Sequence, residues 1–298
     1  MDSSIRFPDF LVVGSVKCGT TSLHYYLSQH PEVHVSRPKE LNFFLGKDTL
    51  TEEEAASTSL NWHRGTEWYG RHFRTDKPVC GELSPLYVDA SWLPVTFERM
   101  ARLVPDARLI LMVREPLDRL WSHFLMQRLN AWISPLSFAE FVEAPSCQWV
   151  QAYSDYGTQL QTILKHFPRD AVLVVESKSL DDQREETLRQ IFRFLGVDPS
   201  YRSPAFERRI YEAKRRRFPS LTGHRILQSS WMTKASRRIP FTLFEPLRNL
   251  LLVPFSSAKP TRELPPASAQ RLHERYRHEV ALLRELSGQP FPSLELPE

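Results

Sequence analysis

The sequence predicts an α/β protein: a central parallel sheet with helices on both faces. Three observations carry this. Short, almost wholly apolar runs recur along the chain, as strands buried on both faces require. Segments with helical spacing alternate with them. The first apolar run also ends in a glycine-bounded turn that opens onto a helix.

The elements follow in order. Phe10–Gly14 is a buried strand, and Thr20–Gln29 a helix with Leu23, Tyr26 and Leu27 at helical spacing. His34 and Val35 belong to a second short strand closed by Pro38, so residues 10–36 read as a βαβ unit. Residues 48–60 are acidic and rich in Ser and Thr, which suits a surface helix and loop. Val79–Leu83 is a weaker strand and Ser91–Leu103 a helix. Arg108–Val113 is the clearest central strand, and Pro116 opens a helix running to Leu129, because proline fits a first helical turn. A helix over 158–166, a strand over 171–175 and a helix over 181–195 follow, the last stopped by Gly196. Pro265–Leu286 closes the chain as a helix with Leu272, Tyr276, Val280 and Leu283 on one face.

Composition narrows the function classes. The 298 residues are 41% hydrophobic and 25% charged, enough apolar sequence to exclude wholesale disorder. The net charge is +4, too small a surplus to identify a nucleic-acid binder. Three widely spaced cysteines, Cys18, Cys80 and Cys147, form neither a CxxC pair nor a Cys/His cluster. They therefore suggest neither a disulfide framework nor structural zinc, and fit a reducing compartment. Met1–Pro8 has no basic stretch leading into an apolar one, and the longest apolar runs are too short for a bilayer. The expectation is a soluble cytoplasmic protein without a membrane span, organised as a single domain over 1–298. Charge is uneven, however. Between 202 and 248 there are twelve Lys/Arg, at 202, 208, 209, 214, 215, 216, 217, 225, 234, 237, 238 and 248, against Glu207, Glu212 and Glu245.

The most informative segment is Gly14-Ser-Val-Lys17-Cys18-Gly19-Thr20-Thr21-Ser22. A glycine-bounded turn at a helix N-terminus offers backbone N–H groups and a positive dipole to an anion. The Gly14-to-Gly19 spacing matches the triphosphate loop G-x-x-x-x-G-K-[ST], which makes the sheet P-loop-like. Thr20 stands where that loop has lysine, and the lysine lies inside the turn as Lys17. A Mg-triphosphate site is thereby disfavoured, while a phosphate-like anion still fits. The simpler readings are a plain strand–turn–helix with a chance lysine, and Thr20 to Ser22 acting only as helix caps.

From Pro8 to Leu23 the sequence resembles the 5′-phosphosulfate loop of sulfotransferases that use 3′-phosphoadenosine 5′-phosphosulfate (PAPS). Arg37-Pro-Lys-Glu40-Leu-Asn-Phe43-Phe44 is similar to the K-E-x-x-F-F segment of the bacterial and heparan-sulfate types. Arg114-Glu-Pro116-Leu-Asp-Arg119-Leu-Trp-Ser122-His-Phe124 resembles the family's 3′-phosphate motif, R-x-P-x-x-R-x-x-S-x-[YF]. The three occur in the family's order, and the similarity extends over roughly residues 8 to 200.

The resemblance implies a PAPS-dependent sulfotransferase whose product is 3′-phosphoadenosine 5′-phosphate (PAP), with no metal expected. It implies that Lys17 binds the 5′-phosphate and the bridging oxygen. Cys18, Gly19, Thr20, Thr21 and Ser22 complete the cradle, and Arg114 and Ser122 grip the 3′-phosphate. Glu40 aligns with the catalytic base of the heparan-sulfate type; its bland alternative is an ion pair with Lys39 or Arg37. Other members use a histidine base, and no local pattern selects one here. Arg119 lies on the face of Ser122, or pairs with Glu115 or Asp118. Lys214, Arg215, Arg216 and Arg217 match the place of a basic loop that closes over the nucleotide, against the alternative of a solvated charged face. The basic third, 202–298, would thus complete the nucleotide site. Gly81-Glu82-Leu83-Ser84-Pro85-Leu86-Tyr87 resembles the heparan-type E-K-T-P-x-Y segment, with Leu83 where that group has a lysine near the acceptor sugar. This favours a more apolar or neutral acceptor, while the basic C-terminal third argues the other way. The expected partner is a hydroxyl-bearing small molecule, lipid, glycan or carrier-bound acyl group, not nucleic acid. Trp62, Trp68, Trp92 and Tyr87 line an acceptor cleft or, for most of them, fill the core. The rivals are a P-loop kinase-like phosphotransferase and a basic nucleic-acid-binding protein.

Overall fold

The structure is a computed structural model that describes residues 5–51, 54, 59–208, 210, 217–229, 231–232 and 247–295. The chain forms two compact units. The first comprises Met1–Arg119, Gln151–Ile210 and His273–Glu298; the second, Leu120–Val150 and Tyr211–Leu272.

The first unit is built on a five-stranded, all-parallel sheet. Its strands are β1 (Phe10–Gly14), β2 (Val33–Val35), β3 (Val79–Leu83), β4 (Arg108–Val113) and β5 (Val172–Glu176). Every residue of β1 and β5 is buried, as their unbroken apolar runs require of strands covered on both faces. The order is β2-β3-β1-β4-β5. The expected βαβ unit therefore exists, but β3 is inserted between its two strands. Helix α1 (Thr20–Gln29) joins β1 to β2, buries Leu23, Tyr26 and Leu27, and ends as the spacing predicts.

Strand order decides where a ligand can sit. From β1 the chain leaves toward β2, and from the neighbouring β4 it leaves the opposite way, toward β5. Connections that diverge from adjacent strands leave a crevice at their carboxyl ends. The turn after β1 and Arg114 after β4 both lie at that edge. Register shifts between Val12 and Gly14, so the end of β1 is irregular where it enters the turn.

The elements differ from expectation at several points. The helix expected over 158–166 begins at Tyr156. The one expected over 181–195 is two, Ser177–Asp182 and Arg184–Leu195, the second ended by left-handed Gly196. Helices Phe138–Glu143 and Gln148–Ala152 have no counterpart in the sequence reading. The closing helix, Pro266–Ser287, buries Leu272, Tyr276, Val280 and Leu283 as predicted. Within the first unit, its Arg275 makes a forked pair to Asp155 at 2.9 and 2.6 Å, and Glu279 accepts from both the N–H and hydroxyl of Thr158.

The second unit holds most of helix Pro116–Leu129 and the short helix Phe138–Glu143. The latter starts with a reciprocal capping box between Ser137 and Glu140. Trp121, Phe124, Phe138 and Phe141 form its aromatic centre. Phe218–Pro219 pairs antiparallel with Ser256–Ser257. No described helix is long and apolar enough to cross a membrane.

Candidate active site

The turn after β1 adopts the backbone that an anion cradle needs. Gly19 caps α1 in the left-handed region at φ 91°, and no side chain caps that helix. Capping is thus not the role of Thr20 to Ser22, and the first-turn N–H groups face the turn without a side-chain cap. A Cβ at Gly19 would lie 3.3 Å from the Ser177 hydroxyl, so the turn is walled by the end of β5. These features fit a phosphate-sized anion. Lys17 is also left-handed, at φ 69°. That conformation costs a non-glycine residue about 1–2 kcal/mol, and it survives only where the surroundings hold it.

The turn is held from behind by the segment Tyr153–Tyr156. The Ser15 hydroxyl donates to the Tyr153 carbonyl at 2.6 Å. The Tyr156 hydroxyl lies 3.5 Å from Cys18 Sγ and accepts from the Arg114 N–H at 3.3 Å. Cys18 is buried, and burial pushes its thiol above the ordinary value, which favours the protonated thiol over a nucleophilic thiolate. Arg114 Nη1 reaches the Lys17 carbonyl at 3.5 Å. Two of the expected site elements, the cradle and Arg114, are therefore in contact.

Arg119 is fully buried. Its Nε donates to the Ser154 hydroxyl at 2.5 Å, and its guanidinium stands 6.0 Å from the centre of the Tyr153 ring. It braces the same backing segment. Glu115 caps the start of helix Pro116–Leu129, accepting from Leu117 and Asp118 N–H groups at 2.8 and 2.6 Å. Ser122 is half-buried on that helix and belongs to the second unit, as does the exposed Arg217. Lys214, Arg215 and Arg216 lie outside the described residues.

Glu40 sits at the carboxyl end of β3. Its N–H donates to the Leu83 carbonyl at 3.2 Å, and its φ is 65°. The carboxylate is exposed and ion-paired with Lys39. His24 of α1 faces the same segment; its Nε2 lies 3.3 Å from the Ser36 carbonyl oxygen. Burial, ahead of the charges of Lys39 and Arg37, holds its pKa below the ordinary value. Lys17 and Arg114 thus follow β1 and β4, while Glu40, on the segment after β2, lies against the end of β3, so the three sit at three successive strand ends. At about 4.8 Å between neighbouring strands, they span roughly 10 Å of one sheet edge.

Beneath Glu40 lies a cluster that the sequence reading did not find. Glu82 is fully buried. Its Oε1 accepts from the Tyr69 and Tyr87 hydroxyls, both at 2.6 Å, and its Oε2 from the Ser84 hydroxyl at 2.8 Å. Burial raises its pKa, opposed by these bonds and by one from the Leu41 backbone. Tyr87 therefore belongs to a buried network, and Trp62, Trp68 and Trp92 pack against the core. Leu83 is itself fully buried, so it offers no side chain to a surface cleft.

A family model described as "Sulfotransferase family" matches residues 8–201. The chain belongs to the sulfotransferase family. Among its relatives, human "Bifunctional heparan sulfate N-deacetylase/N-sulfotransferase 2" is 31% identical over 209 residues, 65% of the chain and 22% of that protein. The mouse protein named with the number 3 is 29% identical over 211 residues, 66% of the chain and 23% of its own length. The chain thus spans under a quarter of the length of these relatives. The crystal structure of a sulfotransferase from Alicyclobacillus acidocaldarius matches with a TM-score of 0.68 at 22% identity, over 97% of this chain and 99% of that one. At that identity the likeness is one of fold, and it confirms the P-loop-like α/β architecture.

Proposed function

We propose that this protein transfers a sulfuryl group from PAPS to an acceptor hydroxyl. The observation that carries the reading is the cradle itself. It has a glycine-capped helix start, a lysine inside the turn, and Arg114 against that lysine's carbonyl. PAPS supplies the sulfuryl group on a phosphosulfate anhydride. The acceptor oxygen–sulfur bond forms as the sulfur–oxygen bond to the 5′-phosphate breaks, and the electron pair stays on the phosphate. Lys17 neutralises that charge, with Gly19 to Ser22 donating hydrogen bonds. Glu40 takes the acceptor proton, leaving Lys39 as it does so. On the sequence resemblance, Arg114 and Ser122 bind the 3′-phosphate and the basic residues 214–217 belong to the donor site. Such chemistry rests on positioning and electrostatics. In this reading 1–298 acts as one sulfotransferase-like domain.

The relatives' name carries an N-sulfotransferase, so an amine on a glycan is the second acceptor class to be tested. A kinase-like reading is disfavoured because β4 runs into Arg114, a cation, where a Mg ligand would be acidic.

Calorimetric titration with PAP, with ATP and AMP for comparison, tests the donor site. PAP binding that is lost in Arg114→Ala is the expected result; preference for Mg-ATP would replace the reading with the kinase one. Glu40→Gln should bind PAP normally and turn PAPS over at least about 100-fold more slowly, as loss of a general base does. Full activity would remove Glu40 from the base role.

A further inference from the structure

The loop carrying Glu40 is buried from Leu41 to Gly46, yet contains no regular secondary structure. Two of its residues, Glu40 and Asn42, have left-handed φ values of 65° and 48°. A buried irregular segment needs partners for its N–H groups. For residues 41–43 they come from one place. The Asn42 N–H donates to the Ser84 hydroxyl at 3.1 Å, and the Phe43 N–H donates to the Tyr87 hydroxyl at 3.0 Å. Leu41 supplies a backbone bond to Glu82 itself. Ser84 and Tyr87 can accept in these directions because their own protons are committed to Glu82. A hydroxyl whose proton is already donated presents only lone pairs. The far end of the loop is fixed separately by Arg99, which donates to the Phe44 and Gly46 carbonyls at 3.1 and 2.8 Å.

We propose that Glu82 is a positioning residue for the transfer reaction: it orients the Ser84 and Tyr87 hydroxyls, which hold residues 41–43 and so set the Glu40 carboxylate over the end of β3. This rests on the reading of Glu40 as base. Glu82 touches neither nucleotide nor acceptor. Its carboxylate is an acceptor for up to four bonds, which no neutral side chain of that size can be. That explains a buried acid at this position better than packing does. The cradle residues and Arg114 follow β1 and β4, so the arrangement separates base placement from donor binding.

The test compares Glu82→Gln, Tyr87→Phe, Glu40→Gln and the Glu82→Gln/Glu40→Gln double variant in the full chain. Three readouts are PAP affinity, single-turnover conversion of PAPS to PAP with 4-nitrophenol or water as acceptor, and amide hydrogen exchange. A displacement of about 1 Å at a reacting group costs on the order of 100-fold. Glu82→Gln should lose about that much turnover, with PAP affinity unchanged and exchange of residues 40–45 about 10-fold faster. Tyr87→Phe removes the acceptor for Phe43 and one of the hydroxyls that donate to Glu82. It should lose turnover by about 10-fold, and it carries the test if Glu82→Gln does not fold. Because Glu82 acts through Glu40, adding Glu82→Gln to Glu40→Gln should slow turnover less than about 2-fold further. Wild-type turnover in Glu82→Gln, or losses that multiply in the double variant, would overturn the proposal. Wild-type turnover in Glu40→Gln would remove the base, and the route from Glu82 to the chemistry with it. Faster exchange at 40–45 would then still report the clasp.

Discussion

Gly19→Ala is the sharpest perturbation of the cradle. At φ 91° the added methyl meets the left-handed penalty of about 1–2 kcal/mol. Restricting the unfolded chain returns about 0.4–1 kcal/mol of it. The methyl also falls 3.3 Å from the Ser177 hydroxyl and 3.5 Å from Met112 Cε, so the side chains must give slightly. The net destabilisation is therefore about 1 kcal/mol. An unfolding entropy of about 2.1 cal/mol/K per residue over 298 residues makes that roughly 2 °C in melting temperature. Gly65→Ala is the internal control. Its φ is 75°, and no heavy atom lies within 4 Å of the added methyl. It should lose stability similarly. The two differ in binding. Re-aiming one N–H that donates to a charged phosphate forfeits about 1.5–3 kcal/mol, or 10- to 150-fold in affinity. Scanning calorimetry reads the first effect, and PAP titration the second. Equal PAP affinity in Gly19→Ala and Gly65→Ala would refute the role of the turn. An unchanged melting temperature in both would refute the backbone argument.

Two further outcomes follow from buried ionisable groups. Cys80 is fully buried, and burial followed by the charge of Asp9 pushes its thiol up to about 12. A raised acid favours folding only while protonated, so its contribution is intact below about pH 9 and is lost as pH rises toward 12. The loss is about 1.4 kcal/mol by pH 10. Denaturant unfolding of Cys80→Ala at pH 8 and 10 should show a fall smaller by that amount, and an equal fall would contradict it. Burial, partly offset by Arg275, raises the Asp155 carboxyl above its ordinary range. Arg275→Ala should cost about 1–2 kcal/mol at pH 7, discounted for partial exposure of the arginine. The cost should shrink toward pH 4 as Asp155 takes up a proton. A pH-independent loss would mean that only packing was removed.

What the sequence makes legible here has a common physical basis. β1, β3 and β4 were placed to the residue because each is a short run of residues that suit a buried strand, bounded by turn residues. The cradle was legible because its function is written in contiguous residues. The position of β3 between β1 and β2 was not, since adjacency in a parallel sheet is decided by crossovers. Gln183 ends one helix and caps the next without glycine or proline to mark it. The short helices between 138 and 152 are too brief to show a period. Glu82 read only as part of a strand and of the segment resembling E-K-T-P-x-Y; its bonds to the hydroxyls at 69 and 87 are made by the fold.

The placement of positive charge argues for the chemistry more strongly than any single residue does. A triphosphate loop keeps its lysine on the helix and reserves the end of a neighbouring strand for an acid that holds a metal. Here the lysine is inside the turn, on a left-handed backbone, and the neighbouring strand ends in Arg114. Both changes put cations on the protein where that arrangement would use an ion. A sulfuryl group bears less charge than a γ-phosphoryl group, so its leaving phosphate is the main charge to be met. Lys17 lies beside that phosphate in the proposed complex, with Arg114 one strand further along. In the same proposal the acceptor approaches from the β3 side, where Glu40 stands. That proposed layout, with leaving phosphate and acceptor on opposite sides of the sulfur, is the one in-line displacement requires.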